Sequence, residues 1–153
     1  MRKTMLLFHI VGTVMYVGTI LSHIAIPKIL GNELIAIYYA SLYKEATAYY
    51  LILPGITLKT ISGIIMAVGY QKIPLWLKIK VGCAAFLLVN AFVFLVPMMT
   101  ELKLLAQSSL EAGMLSDAYI AKEHTEMLVG ISNVLPLVGA IILGVFKPTF
   151  KRE

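Results

Sequence analysis

MLLFHIVGTVMYVGTILSHIAI, Met5–Ile26, decides the fold of this chain. The run is apolar throughout and carries no ionisable side chain strong enough to stop it except two imidazoles, His9 and His23. A helix rising ~1.5 Å per residue needs ~20 residues to cross roughly 30 Å of hydrocarbon, and this run has that length. At about 100° per residue the two histidines return to nearly the same face, roughly 21 Å apart along the axis. Gly12, Tyr16 and Thr19 fall on that face as well.

Three more runs have the same character: Ala48–Gly69, Leu75–Val96 and Met127–Phe146. The whole chain of 153 residues is 59% hydrophobic and 14% charged, with a mean hydropathy of +0.88. Soluble domains carry ~25% charged residues. The expected fold is therefore all-α, a single integral membrane domain built as a four-transmembrane-helix bundle. The first run is too long for a removable signal peptide, and Ile26-Pro27-Lys28 lacks a small-residue cleavage site, so it is expected to be retained. Cys83 stands alone, which excludes an intramolecular disulfide, and reads as a small packing residue.

The formal charge of +5 is unevenly spread. In a four-span arrangement Arg2, Lys3, Lys72, Lys78, Lys80, Lys147, Lys151 and Arg152 share one side with Glu153. The other side holds Lys28, Lys44, Lys103 and Lys122 with Glu33, Glu45, Glu101, Glu111, Asp117, Glu123 and Glu126. The positive-inside rule then places both termini in the cytoplasm, in what reads as a prokaryotic plasma membrane. The basic balance expresses topology and the lipid bilayer as partner, with no nucleic-acid footprint.

The outer segments read as helical extensions. From Asn32 no glycine or proline interrupts the sequence, Asn32 is a good N-cap, and Glu33 suits the first turn. That helix is expected to run into the second span and kink at Pro54. Ser116 can cap a helix opening at Asp117 that continues through the fourth span and places His124 at the outer boundary. Gln71-Lys72-Ile73-Pro74 makes a tight inner turn, so spans two and three are antiparallel neighbours.

Ionisable groups in a membrane helix call for compensation. His23 and His124 are matched in depth and read either as bis-histidine ligands of a b-type haem or as interfacial histidines bonded to water or headgroups. His9 has no second inner histidine; it reads as a haem ligand with an open sixth position or one filled by a residue such as Met66, or as a buried histidine bonded to a carbonyl. Gly12 would let a flat macrocycle approach the first helix. Lys59, mid-span, lies too deep to snorkel; it would meet a haem propionate or acidic substrate, or lie neutral against Thr57, Asn90 or backbone. Lys80, four residues after Trp76, can snorkel to the inner surface. Asn90 and Asn133 suit helix–helix hydrogen bonds. Met98, Met99, Met114 and Met127, with His23 and His124, leave copper as an alternative cofactor, since thioethers suit Cu(I).

Several of these residues together resemble the HemJ-type protoporphyrinogen oxidase family and its relatives, small four-span proteins that include CopD-like copper-resistance domains. The first helix, with His9 and then Pro27-Lys28, is similar to that family's opening span. Pro54 followed by Gly63 looks like its second helix, and WLKIK, Trp76 to Lys80, resembles the tryptophan-to-lysine motif opening its third. Pro136 and Lys147-Pro148 also have counterparts, so the likeness runs along nearly the whole chain. The family's histidine in the third span is missing, with Asn90-Ala91 near that point. The resemblance implies a b-type haem at His9 and Lys80 as a functional partner.

The expectation is a membrane-embedded cytochrome b-like protein with one or two haems and an oxidoreductase role, either electron transfer across the membrane or porphyrinogen oxidation. His9, His23 and His124 would bind the iron and Gly12 and Lys59 the cofactor, while Lys80 and Lys59 would act on a porphyrinogen or quinone-type small molecule. An oligomer is compatible with this. The alternatives are a copper-handling CopD-like protein and a cofactor-free accessory or assembly subunit.

Overall fold

The computed structural model describes residues 2–68 and 70–148. It is all-helical among those residues, and its helices are α1 (Arg2–Leu30), α2 (Leu34–Thr47), α3 (Leu53–Ala67), α4 (Leu75–Val89), α5 (Val96–Ala112), α6 (Asp117–Ser132) and α7 (Val134–Phe146). They combine into four rods long and apolar enough to cross a membrane: Arg2–Leu30, Leu34–Ala67, Leu75–Ala112 and Asp117–Phe146. The inner end of the second expected span, Gly69, lies outside the described residues, as do Lys151, Arg152 and Glu153. Apolar side chains cover the outside of the rods, with Leu135 82% and Val14 66% exposed. That pattern suits lipid as the surrounding solvent.

Proline shapes each rod. Its ring clashes with the carbonyl four residues back and offers no N–H. In the second and third rods the clash is absorbed by π-helical turns, Ala48–Ile52 before Pro54 and Asn90–Leu95 before Pro97. The carbonyls displaced are those of Tyr50 and Val93, both inside the wide turns. The second rod thus carries a π turn where a kink was expected. The fourth rod runs from Asp117 to Phe146 as expected, with a single turn-like irregularity at Asn133, whose backbone stays right-handed helical, just before Pro136. The first continues beyond Pro27 to Leu30 and ends at Gly31, whose φ of 86° permits the left-handed cap.

Capping follows the sequence with one shift. Ser116 caps α6, its hydroxyl accepting from the Tyr119 amide at 3.2 Å. At α2 the N-cap is Glu33 rather than Asn32, with no side-chain bond. The third rod runs on well past the expected span end at Val96, reaching Ala112 before Gly113 stops it.

The tightest packing is between α1 and α3. A Cβ built on Gly12 would lie 2.6 Å from the Gly55 carbonyl oxygen and 2.7 Å from the Lys59 nitrogen. A Cβ on Gly55 would lie 2.9 Å from the Met15 Cβ. The two backbones touch because both residues lack side chains, the arrangement that drives close helix association in lipid. Tyr16 beside this crossing enters the central core with Ala48, Ile52, Ile56, Leu87, Ala91 and Leu95.

Outside the spans, α2, α5 and α6 close into a ring of ion pairs. Lys44 pairs with Glu126 at 3.0 Å, Lys103 with Glu45 at 2.9 Å, and Lys122 with Glu101. Each helix is tied to both others. Beneath the pairs Leu102, Ala106 and Tyr119 form a small second core.

Gly12→Ala should lower the thermal unfolding midpoint in detergent by the equivalent of about 1–3 kcal/mol, because backbone atoms cannot yield to the new methyl. Gly18→Ala, with nothing within 4 Å of its added carbon, should be near neutral. Equal midpoints for the two variants would refute the close-contact account.

Candidate functional site

α1 buries the face named from its sequence: Gly12, Tyr16, Thr19 and His23 are its buried residues. The face zips antiparallel along α3 and the end of α2, pairing His9 with the inner end of α3 and His23 with the end of α2.

At the inner end, His9 Nδ1 lies 2.9 Å from the Lys59 carbonyl oxygen and 3.3 Å from Ser62 Oγ. A carbonyl can only accept, so Nδ1 carries the hydrogen. The Ser62 hydroxyl donates to the Leu58 carbonyl at 2.7 Å, which leaves its oxygen free to accept from Nδ1 as well. In the neutral imidazole the lone pair is then on Nε2, and that nitrogen has no hydrogen-bond partner among the described residues. Gly63 leaves room for the ring, since a Cβ there would sit 3.3 Å from His9 Cε1.

Lys59 is buried, and its ammonium stands 5.3 Å from the centre of the Tyr16 ring. Lys80 extends toward the last turn of α7. Its ammonium lies over Gly144 of α7, where a Cβ would come within 2.8 Å of Nζ. Three of the sequence candidates, His9, Lys59 and Lys80, are thus gathered in the inner half of the bundle. All the carboxylates among the described residues lie on the outer helices and loops, so this cluster of basic groups has none nearby.

The outer pair is not gathered. His23 is buried, and its Nε2 lies 2.7 Å from Thr47 Oγ1. The Thr47 hydroxyl donates to the Tyr43 carbonyl at 2.7 Å, so it accepts from His23 Nε2–H. The Tyr43 ring packs edge-on against the imidazole, with centroids 6.0 Å apart. His124 is exposed on α6, which packs on α5 and α7, whereas α1 packs on α3 and α2. Each histidine has its own surroundings because the two helices belong to different faces of the bundle.

Gly12 corrects a second expectation. The space its missing side chain leaves is filled by the backbone of α3, so no macrocycle can approach there. The methionines named for copper are dispersed: Met99 lies in the central core, while Met114 and Met127 are exposed. No group of three or more His, Cys, Asp or Glu side chains among the described residues could hold a metal ion. Asn90 and Asn133 do cross-link spans three and four, at 2.6 Å, with Asn90 also donating to Ser132 at 3.1 Å.

Sequence reasoning did not single out Thr47, Ser62 or Gly144. Gly144 had no signal at all, since its role depends on a lysine from another helix. No family model, curated protein or solved structure matches the chain.

Thr47→Val keeps the shape of this position and removes the acceptor for His23. A buried N–H left unpaired costs about 1–3 kcal/mol, so the thermal midpoint should fall, while Thr47→Ser should retain it. Identical midpoints for the valine and serine variants would exclude the bond as a stabilising contact.

Proposed function

We propose that this chain is a membrane-embedded b-type haem protein with a redox role, holding one haem through Nε2 of His9 near the cytoplasmic side. The observation that carries the reading is the His9 Nδ1–H bond to the Lys59 carbonyl. Histidines that bind metals characteristically donate their other ring N–H to such a partner, which fixes the tautomer and aims the free nitrogen. The resemblance of the first and third helices to the HemJ-type family supports the same position.

The chain's own residues divide the work. The Lys59 carbonyl and Ser62 Oγ orient the imidazole, and Gly63 leaves its ring room. Lys80 and Lys59 supply positive charge for the carboxylates of a porphyrin or another acidic substrate. The lipid-facing apolar shell keeps bulk water away, which strengthens those charge interactions. A haem held by His9 would supply one-electron chemistry.

Electron transfer across the whole membrane would need a second centre near the outer face. Because His23 and His124 lie apart, the better supported redox role is oxidation of an acidic macrocyclic substrate such as a porphyrinogen at the inner leaflet. The proposal includes a prokaryotic plasma membrane as the setting and both termini in the cytoplasm. Charge supports that orientation: the outer lysines at 44, 103 and 122 are each paired with a glutamate, whereas the inner basic residues among those described have no such partners.

Oxidised and dithionite-reduced spectra of the detergent-purified protein, after reconstitution with haemin, test the site. His9→Ala should lose at least ten-fold in haem content, while His23→Ala and His124→Ala should retain it. Full haem content in the His9 variant, or no Soret band in the parent protein, would defeat the reading.

Orientation has its own test. Met114→Cys, made in a Cys83→Ala background, should be labelled by an impermeant maleimide in intact cells, since Met114 is exposed in the loop between α5 and α6. Labelling only after permeabilisation would reverse the topology.

A further inference from the structure

The middle of the bundle holds one buried hydroxyl that no group in the described structure satisfies, beside a buried lysine. Tyr16 is 1% exposed, and its hydroxyl is a buried polar atom with no hydrogen-bond partner. Lys59 is 7% exposed and makes no side-chain hydrogen bond or ion pair among the described residues. Its ammonium sits over the face of the same tyrosine, 5.3 Å from the ring centre. The aromatic face provides partial compensation for the charge. It provides no acceptor for the ammonium hydrogens.

Both groups lie where such a deficit is costly. An ammonium at mid-membrane depth needs a counter-charge or water, and a buried hydroxyl without a partner forfeits its hydrogen bond. The hydroxyl-bearing and amide side chains here direct their hydrogens elsewhere, and none of them accepts from Lys59 Nζ or Tyr16 Oη. Ser62 donates to the Leu58 carbonyl, Thr19 to the Met15 carbonyl at 2.7 Å, and Asn90 to Asn133. The nearest further ionisable groups, Lys80 and His9, are also basic. The local chemistry therefore has a surplus of positive charge and no counter-charge among the described residues.

We infer that Lys59 Nζ and Tyr16 Oη form a carboxylate-binding subsite between α1 and α3, in the middle of the bundle. A carboxylate carries two accepting oxygens and one negative charge, so it can meet both donors and neutralise the ammonium in a single contact. A neutral carbonyl would leave the charge uncompensated. Tyr16 stands two turns from His9 along the same face of α1, about 10 Å, so the subsite lies deeper in the membrane than the imidazole. Two sources of the carboxylate share this chemistry: the propionate of a porphyrin, which rests on the haem reading above, and a fatty acid entering from the bilayer, which does not.

The test uses the whole protein in detergent and two pairs of probes, each an acid with its neutral counterpart. Metal-free protoporphyrin IX is compared with its dimethyl ester, so that ligation by His9 does not enter, and oleate is compared with oleyl alcohol. In the parent protein at least one acid should bind ten-fold or more tightly than its neutral form. That preference should fall below three-fold in Lys59→Met and weaken several-fold in Tyr16→Phe. The tyrosine variant removes only an oxygen that bonds to nothing, so it keeps the test open should Lys59→Met fail to fold. Preference confined to the porphyrin pair assigns the propionate; preference confined to the oleate pair assigns a fatty acid, and leaves the subsite standing even if the haem reading fails. Equal binding of acid and neutral forms by the parent, or an undiminished preference in the variants, overturns the subsite.

Discussion

The backbone contact between Gly12 and Gly55 is the constraint on which the rest of the molecule depends. In lipid no hydrophobic force separates one apolar helix face from another, so helices associate where they can approach most closely. With a Cβ at Gly12 there would be 2.6 Å to a carbonyl oxygen, and the crossing would open. Every polar contact of α1 is indexed from that point. Inward of it, His9 arrives at the Lys59 carbonyl; just outward, Tyr16 comes under the Lys59 ammonium; further out, His23 meets Thr47. A different crossing would present each of these groups to different partners.

The two ends of the bundle handle charge in opposite ways. At the outer end, lysines and glutamates are interleaved on α2, α5 and α6, and each pair bridges a different pair of helices. The result fixes three extensions that leave the membrane separately. At the inner end, basic groups approach one another with no carboxylate among the described residues. Folding alone would not favour that arrangement, because like charges repel and burial penalises the ammonium. Such local conflicts with stability are where function is expected to lie.

Proline has a comparable double effect. The π-helical turns before Pro54 and Pro97 relieve a steric clash, and wide turns of this kind frequently occur at functional sites. Here both line the central core around Tyr16, where the small alanines at 48 and 91 pack fully buried in the same cluster as the large ring. The same residue type that perturbs the fourth rod at Asn133 therefore helps to shape the interior that the other rods enclose.

The apolar runs, their length and the charge bias were legible in the sequence because the bilayer sets a threshold that local composition either meets or fails. The buried face of α1 was legible for a similar reason, since helical periodicity alone puts Gly12, Tyr16, Thr19 and His23 together. The Ser116 cap is local too. Partnerships between helices were not legible. His23 and His124 match in depth, yet depth does not say which faces meet, and packing sent one to Thr47 and left the other exposed. Gly12 had a correct location and a different neighbour: a second helix occupies the space that would have admitted a macrocycle. The sequence by itself determined an all-helical protein with four membrane-spanning helices and its unpaired basic groups concentrated on one half. Only tertiary structure decided that His9, Lys59 and Lys80 converge, because that depends on how closely and at what register separate helices pack.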